Sequence, residues 1–217
     1  MASWGRQPGQ QWQWCRIWHP SGWAASGSAH RGFGPIGRMD HHVPAPDGQP
    51  RQCPEGRTVL YAAESLATAL GEVFGEAGEV AACPRYRVCA LEPEAPLPVL
   101  DLRSEGAAMR IGALPSLATG PYPRSLTQEW ARAVYEDQPA EGVTVRGILY
   151  NAAYSNGGAL ALWDTDGEVT VPHIGGMHQD FALQDPQMWR RVLVEADRIG
   201  MPAAMADPAA CPRCRQG

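Results

Sequence analysis

The chain has 217 residues, of which 44% are hydrophobic and 19% are charged, and this length and composition are typical of one globular domain. Its 24 Gly and 20 Pro argue against a helix bundle, because both residue types interrupt helices. All 18 basic residues are Arg, which excludes a Schiff base, a lysine general base and a P-loop lysine. The formal net charge of −5 disfavours nucleic acid and anionic membranes as partners.

The N-terminal part of the chain is predicted to be irregular. Bulky and polar residues alternate over Trp12–Trp18, which predicts a first strand. Residues 20–57 are rich in Gly, Pro and His and indicate one long loop, which we predict to be a mobile lid over a binding pocket. Asp40, His41 and His42 in this loop fit no standard metal-ligand spacing and are interpreted as polar loop residues.

The middle of the chain alternates short strands with helices. A buried strand is predicted at Thr58–Tyr61, and Ser65 is a candidate N-cap for a helix through Ala77. Two more strands and a short helix are predicted at Tyr86–Leu91, Leu97–Leu100 and Ser104–Ile111. The spacing of Ser125 and Gln128 is that of a capping box, which predicts a helix from there to about Gln138.

Three strands and one helix are predicted for the rest of the domain. The strands lie at Gly147–Tyr150, Ala159–Trp163 and Glu168–Val171. Asp185 and Pro186 are typical of a helix start, and this last helix should end before Gly200. The pattern therefore predicts an α+β fold of short mixed or antiparallel strands with three to four helices, in one domain over residues 1–200, followed by an extension over residues 201–217.

The six Cys residues are predicted to be reduced thiols in a cytoplasmic protein. No apolar signal segment precedes them, and no run of about 18 apolar residues occurs in the chain. Cys211 and Cys214 have the close spacing of metal ligands, but no second CxxC or HxxxH pair completes a set of four. We therefore predict no metal, and a polar tail that frays at its end.

One glycine-rich segment and one carboxylate are candidates for a site. Residues 32–37 (GFGPIG) match GxGxxG formally, but the proline and the lack of a following helix argue against a dinucleotide fingerprint, so these glycines are interpreted as positions of close backbone approach. Arg38 follows them and suits an anion. Glu72 lies at the margin of the apolar helix face, where it is either a surface residue or a functional one.

A series of motifs resembles the RES domain family over residues 16–164. These are GRMD with Arg38, TVLYAAESLATALGE, VLDLRSEGAAMRIG, TQEWARAVYE and RGILYNAAYSNGGALALWD. The resemblance implies a compact fold related to ADP-ribosyltransferases, with NAD as the substrate. The family includes toxins of RES–Xre toxin–antitoxin pairs, so an Xre-type antitoxin is an implied partner, and a homo-oligomer stays open.

The resemblance also assigns residues. Arg38 matches the family Arg, Glu72 the family Glu and Tyr61 the aromatic residue before it, while Arg16 matches a second pocket Arg. The family Ser corresponds to Ser155 if the alignment shifts by a few residues, and to Ala152 if it does not. In these roles the two arginines would bind the diphosphate of NAD, Tyr61 would stack on nicotinamide, and Ser155 would hydrogen-bond the ribose or a phosphate. Glu72 would stabilise the ribosyl cation.

Three functions follow from these observations. The first is an enzyme that degrades NAD by cleaving the nicotinamide–ribose bond, with water or phosphate as the acceptor, as the toxin of a pair. The second keeps the chemistry but transfers ADP-ribose to a protein. The third, supported by Ala152 in the place of the family Ser, is a non-catalytic module that binds a nucleotide or another protein.

Overall fold

The structure is a computed structural model that describes residues 1–5, 14–20, 24–119, 122–138 and 142–215. The predicted strand residues Trp12 and Gln13 lie outside these ranges. In the described ranges none of the helices is both long and apolar enough to cross a lipid bilayer.

The described residues form five helices and sixteen strands, so the predicted α+β class is confirmed. The helices are α1 (Leu66–Phe74), α2 (Ala107–Arg110), α3 (Ser116–Thr119), α4 (Arg124–Asp137) and α5 (Pro186–Arg198). The strands are β1 (Ala2–Trp4), β2 (Cys15–Trp18), β3 (Phe33–Gly34), β4 (Arg51–Gln52), β5 (Val59–Ala63), β6 (Val80–Ala82), β7 (Arg87–Ala90), β8 (Glu92–Pro93), β9 (Leu97–Asp101), β10 (Gly147–Asn151), β11 (Gly158–Trp163), β12 (Val169–Thr170), β13 (His173–Ile174), β14 (Met177–His178), β15 (Asp180–Ala182) and β16 (Ala203–Met205).

Eight strands form one mixed sheet in the order β1-β9-β10-β11-β5-β2-β7-β15. All neighbours in it are antiparallel except β9 and β10, which run parallel. Four smaller pairs join β3 to β4, β8 to β12, β13 to β14 and, in parallel, β6 to β16. The helix count exceeds the predicted three to four by α3, a single turn, whereas α2 lies within the short helix predicted at Ser104–Ile111.

The central strands are buried on both faces of the sheet. In β11, Leu160 and Leu162 pack into one hydrophobic cluster, whereas Ala159, Ala161 and Trp163 pack into another. This alternation follows from the two-residue period of a strand. Burial on both faces explains why the sequence of β11 is a continuous apolar run rather than an alternating one.

Helix α1 carries Glu72 beside the sheet. The Ser65 hydroxyl accepts the backbone N–H of Thr68 at 3.1 Å, which confirms the predicted N-cap. Leu70 and Phe74 are buried against strands and against α5, which leaves the Glu72 side chain on the exposed edge of the helix.

The predicted capping box of α4 is wrong. The helix begins at Arg124 with Pro123 as its N-cap residue, so Ser125 is already inside the first turn. A proline at this position is compatible with a helix start because its missing N–H needs no partner there. By contrast, the predicted start of α5 is confirmed, since the Asp185 carboxylate accepts the N–H groups of Gln187 and Met188.

Two segments expected to be irregular are packed into the fold. The long loop contains β3 and β4. Asp40, His41 and His42 lie outside helices and strands, as expected of loop residues, but they are fully buried. The lid remains a prediction for the rest of residues 20–57. The predicted frayed tail is wrong, because β16 pairs with β6 and Cys211 is 3% exposed. Both segments are buried by contacts with residues distant in sequence.

Candidate functional site

A cavity of about 670 Å³ opens between β2, β5, α1 and the residues that follow β3. Its volume lies within the range of roughly 300–1,000 Å³ that is typical of small-molecule sites. Arg16, Arg38, Tyr61 and Glu72 all line it, so the structure brings four of the predicted site residues together around one space. These residues come from three separate elements and one loop.

Arg38 lines the cavity and has one guanidinium nitrogen without a hydrogen-bond partner among the described residues. Its Nη1 donates to the carbonyl of Asn151 at 3.2 Å, and its guanidinium carbon lies 5.3 Å from the ring centroid of Tyr150. Its Nη2 is buried and has no hydrogen-bond partner among the described residues. A buried donor without an acceptor is costly, so this nitrogen is suited to an anionic group of a ligand.

Glu72 is the carboxylate of the cavity. Its Oε1 accepts the backbone N–H of Ala153 at 3.0 Å, which fixes the carboxylate against the turn between β10 and β11. The side chain is exposed to the cavity, but protein surrounds it on its other sides, and this desolvation raises the pKa of Glu72 above its usual value of 4.5. The Ala153 N–H and the charge of Arg38 act in the opposite direction and limit that rise.

Tyr61 offers its ring rather than its hydroxyl to a ligand. The hydroxyl donates to Asp40 Oδ1 at 2.6 Å and accepts the backbone N–H of Met39 at 3.1 Å. Burial and the Asp40 carboxylate raise the pKa of Tyr61 well above 10. A Cβ on Gly37 would lie 2.5 Å from the Tyr61 hydroxyl oxygen, so the predicted close backbone approach is confirmed at this glycine.

Asp40 holds the glycine-rich segment in place beside the cavity. It is fully buried and accepts two hydrogen bonds from Arg31, at 2.9 and 2.8 Å, and one from each of the backbone N–H groups of Ile36 and Gly37. With the bond from Tyr61, this single carboxylate connects the glycine-rich segment to β5. Arg38 owes its position beside the cavity to that connection, because it follows Gly37 directly.

Arg16 lines the cavity but already has partners. Its Nη1 donates to the carbonyls of Gly27 and Ala29 at 3.0 and 2.6 Å. Burial lowers the pKa of Arg16 to about 10, which still leaves it charged at pH 7. Arg16 therefore holds the segment of residues 27–29 and adds positive potential to the cavity, while the open hydrogen-bonding position belongs to Arg38.

Neither candidate for the family Ser lines the cavity. Ala152 is buried in the core, and the Ser155 hydroxyl lies 3.3 Å from Thr68 Oγ1 and accepts the Gly157 N–H at 3.3 Å. Ser155 thus supports the turn that presents the Ala153 N–H to Glu72. In this structure Ser155 is a positioning residue, which acts on Glu72 through the turn that contains Ala153.

We expect Ser155→Ala to lower the free energy of unfolding by about 1 kcal/mol, the usual value for one lost hydrogen bond, and to change NAD turnover only a few-fold. Denaturant unfolding and an NAD decay assay measure the two quantities. A complete loss of turnover with unchanged stability would instead give Ser155 a direct role in the reaction.

Several cavity residues were not among the predicted ones. Arg31, Tyr86, Tyr150 and Arg213 all line the cavity. Tyr86 and Tyr150 belong to segments that the sequence indicates only as apolar strands. Arg213 lies in the predicted tail, and the only signal for it is that its CPRC sequence repeats the CPR of residues 83–85.

A second cluster lies at the edge of the cavity. One potential ligand atom from each of His19, Cys83, Cys211 and Cys214 lies within 4.8 Å of the others. The prediction of no metal depended on Cys211 and Cys214 lacking two further ligands. That prediction loses its basis, because His19, which follows β2, and Cys83, which follows β6, are two further potential ligands.

The fold and the cavity together define a class of protein. A mixed sheet flanked by helices holds a cavity lined by an arginine with one unpartnered nitrogen among the described residues, by aromatic residues and by one carboxylate. These groups are suited to an anionic ligand that carries a planar ring. The chain belongs to the RES domain family, whose model matches residues 7–184, and the RES domain is associated with enzymes that act on NAD. Comparison with curated proteins and with solved structures finds no match, so the expected relation to the ADP-ribosyltransferase fold stays a prediction.

Proposed function

We propose that this protein cleaves NAD at the bond between nicotinamide and ribose. The observation that carries the proposal is the pairing, in one cavity, of the Glu72 carboxylate with a buried Arg38 nitrogen that lacks a partner among the described residues. The family match supports NAD as the ligand. The acceptor of the ADP-ribosyl group is water or phosphate.

Arg38 would bind the diphosphate. A charge-assisted hydrogen bond from Nη2 to a phosphate oxygen satisfies the donor that the described protein residues leave open. Arg16 lines the same cavity and adds positive potential, whereas the charge of Arg31 is paired with Asp40. The ring of Tyr61 would stack on nicotinamide or adenine, whereas Tyr150 is 1% exposed and lies beneath the Arg38 guanidinium.

Glu72 would act at the reacting carbon. When the C1′–N bond of NAD breaks, nicotinamide leaves with the electron pair and the ribose becomes cationic. A fixed carboxylate stabilises this cation, and preorganisation by the Ala153 N–H means that Glu72 need not reorient during the reaction. Water or phosphate then forms the new C1′–O bond, and water gives up a proton to solvent or to Glu72.

An NAD decay assay tests the proposal. Purified protein should consume NAD and release nicotinamide, with ADP-ribose as the product in water or its 1″-phosphate when phosphate is the acceptor. With labelled NAD and cell lysate, label on a protein band would favour the alternative of mono-ADP-ribosylation. Saturable NAD binding without any nicotinamide release would favour the non-catalytic module.

The role as a toxin is part of the same proposal. NAD cleavage in the cytoplasm would arrest growth, and an Xre-type antitoxin would relieve it. Expression of the chain should therefore lower cellular NAD and stop growth, and co-expression of a helix-turn-helix protein encoded beside it should restore both. Growth arrest with normal NAD would contradict this route to toxicity.

Arg38→Ala should weaken NAD binding by about 1.5–3 kcal/mol, which corresponds to roughly 10- to 150-fold in Kd, because it removes a charge-assisted contact. Isothermal titration on the slow Glu72→Gln background measures this with little turnover. Arg110→Ala is the control, since Arg110 is exposed on α2 outside the cavity. Unchanged affinity in Arg38→Ala would remove Arg38 from the binding site.

A further inference from the structure

We propose that His19, Cys83, Cys211 and Cys214 bind one zinc ion, which fastens the C-terminal segment to the body of the domain. The zinc site is independent of the reaction at Glu72. It is supported by the spacing of four ligand atoms, by their burial and by the elements that bring them together.

The four ligand atoms lie within 4.8 Å of one another, and the three distances among His19, Cys83 and Cys214 are close to those of a tetrahedral site. His19 Nε2 lies 3.3 Å from Cys214 Sγ and 3.6 Å from Cys83 Sγ, and the two sulfur atoms are 3.5 Å apart. With Zn–S and Zn–N bonds of roughly 2.3 and 2.0 Å, a tetrahedron has S···S and S···N edges of about 3.8 and 3.5 Å. Small shifts of the side chains would therefore admit the ion.

The topology gathers the four residues from three parts of the chain. His19 directly follows β2, and Cys83 directly follows β6. The parallel pairing of β16 with β6 brings the chain end alongside Cys83, and residues 211–214 then complete the set. His19, Cys83 and Cys211 are buried at 4%, 0% and 3% exposure, so the cluster is shielded from solvent on most sides.

The ligand types favour zinc over a disulfide. Three thiols and one imidazole form a Cys₃His set, which is a common structural zinc site. A disulfide between Cys83 and Cys214 would use only two of the four clustered side chains, whereas a zinc ion would bind all four. With three thiolates, one neutral imidazole and Zn²⁺, the site carries one net negative charge. Arg85 and Arg213 lie near enough to balance that charge, since both act electrostatically on His19.

The site borders the cavity. His19, Pro212 and Arg213 line the cavity wall, and Pro212 and Arg213 lie between two of the ligands. The ion would fix this wall and hold Arg213 toward the space where NAD is proposed to bind. The match to the family model ends at residue 184, so Pro212 and Arg213 of this wall come from a segment beyond it.

Metal analysis of the intact, reduced protein tests the proposal. After incubation with Zn²⁺ and gel filtration, we expect about one zinc ion per chain by inductively coupled plasma mass spectrometry. Cobalt in its place should give the intense visible bands of tetrahedral thiolate coordination. Wild-type protein that retains no zinc under these conditions would overturn the proposal, as would a Cys83–Cys214 disulfide in freshly purified protein that binds no metal.

Variants locate the ion. Cys83→Ser and Cys214→Ser should each lose zinc and the cobalt bands, whereas Cys53→Ser should keep both, because Cys53 is a buried thiol that contacts Glu55 outside the cluster.

Removal of zinc from wild type by a chelator should lower Tm by on the order of 10 °C and expose residues near the chain end to protease. Zinc retained by both cluster variants would place the ion elsewhere. None of these measurements depends on NAD turnover.

Discussion

Replacement of Glu72 by Gln is expected to reduce kcat for NAD cleavage by about 100-fold or more while NAD still binds. Gln keeps the size of the side chain and can still accept the Ala153 N–H, but it removes the negative charge opposite the forming ribosyl cation. The measurement is nicotinamide release under saturating NAD, together with Kd by titration. Circular dichroism and Tm show that the variant is folded.

Glu76→Gln is the matched control. Glu76 follows α1 by two residues and is exposed, and its carboxylate lies 3.4 Å from Arg124 without lining the cavity. This variant should keep the wild-type rate. If folded Glu72→Gln also consumed NAD at the wild-type rate, the proposed role of Glu72 would be abandoned.

The pH dependence of the reaction should report the same group. Only ionised Glu72 stabilises a cation, so kcat/KM, which reports the groups of the free enzyme, should fall as the pH drops through the pKa of Glu72. Desolvation raises that pKa above 4.5, and the acidic limb should therefore be centred above the value of a free glutamate. The residual activity of Glu72→Gln should lack this limb. If the pH profile of Glu72→Gln had an acidic limb at the same pH as wild type, the limb would belong to another group.

Asp40→Asn should lower the free energy of unfolding by about 3–5 kcal/mol, the cost of breaking a buried ion pair from one side. The carboxylate is fully buried and accepts bonds from Arg31, Tyr61 and two backbone N–H groups. An amide would turn an NH₂ toward some of these donors and leave Arg31 without its counter-ion. Denaturant unfolding at constant ionic strength measures the change.

Asp47→Asn serves as the control in the same segment, because Asp47 is exposed and accepts the nearby N–H of Gln49. It should change stability by less than about 1 kcal/mol. In Asp40→Asn, hydrogen exchange should also speed up over residues 36–40, since Asp40 connects them to β5. Equal stability of the two variants would show that the Asp40 network contributes little.

The sequence by itself determined the elements whose signals are local. The Asp185–Pro186 start of α5 and the Ser65 cap of α1 depend on side chains that bond backbone groups two or three residues away, so their spacing was sufficient. The apolar runs of β10 and β11 predicted two strands, which the structure pairs as antiparallel neighbours. The family motifs predicted Arg38, Tyr61 and Glu72, which the structure brings to one cavity.

Only the tertiary structure decided which polar residues are buried and which of them meet. In the sequence Asp40 resembles a loop residue because its partners Arg31 and Tyr61 are 9 and 21 positions away. Cys83 lies 64 positions from His19 and 131 from Cys214, so no local spacing could complete the ligand set of Cys211 and Cys214. Such contacts exist because sheet pairing, here β16 on β6, brings distant segments together, and the stability of that pairing depends on the whole core.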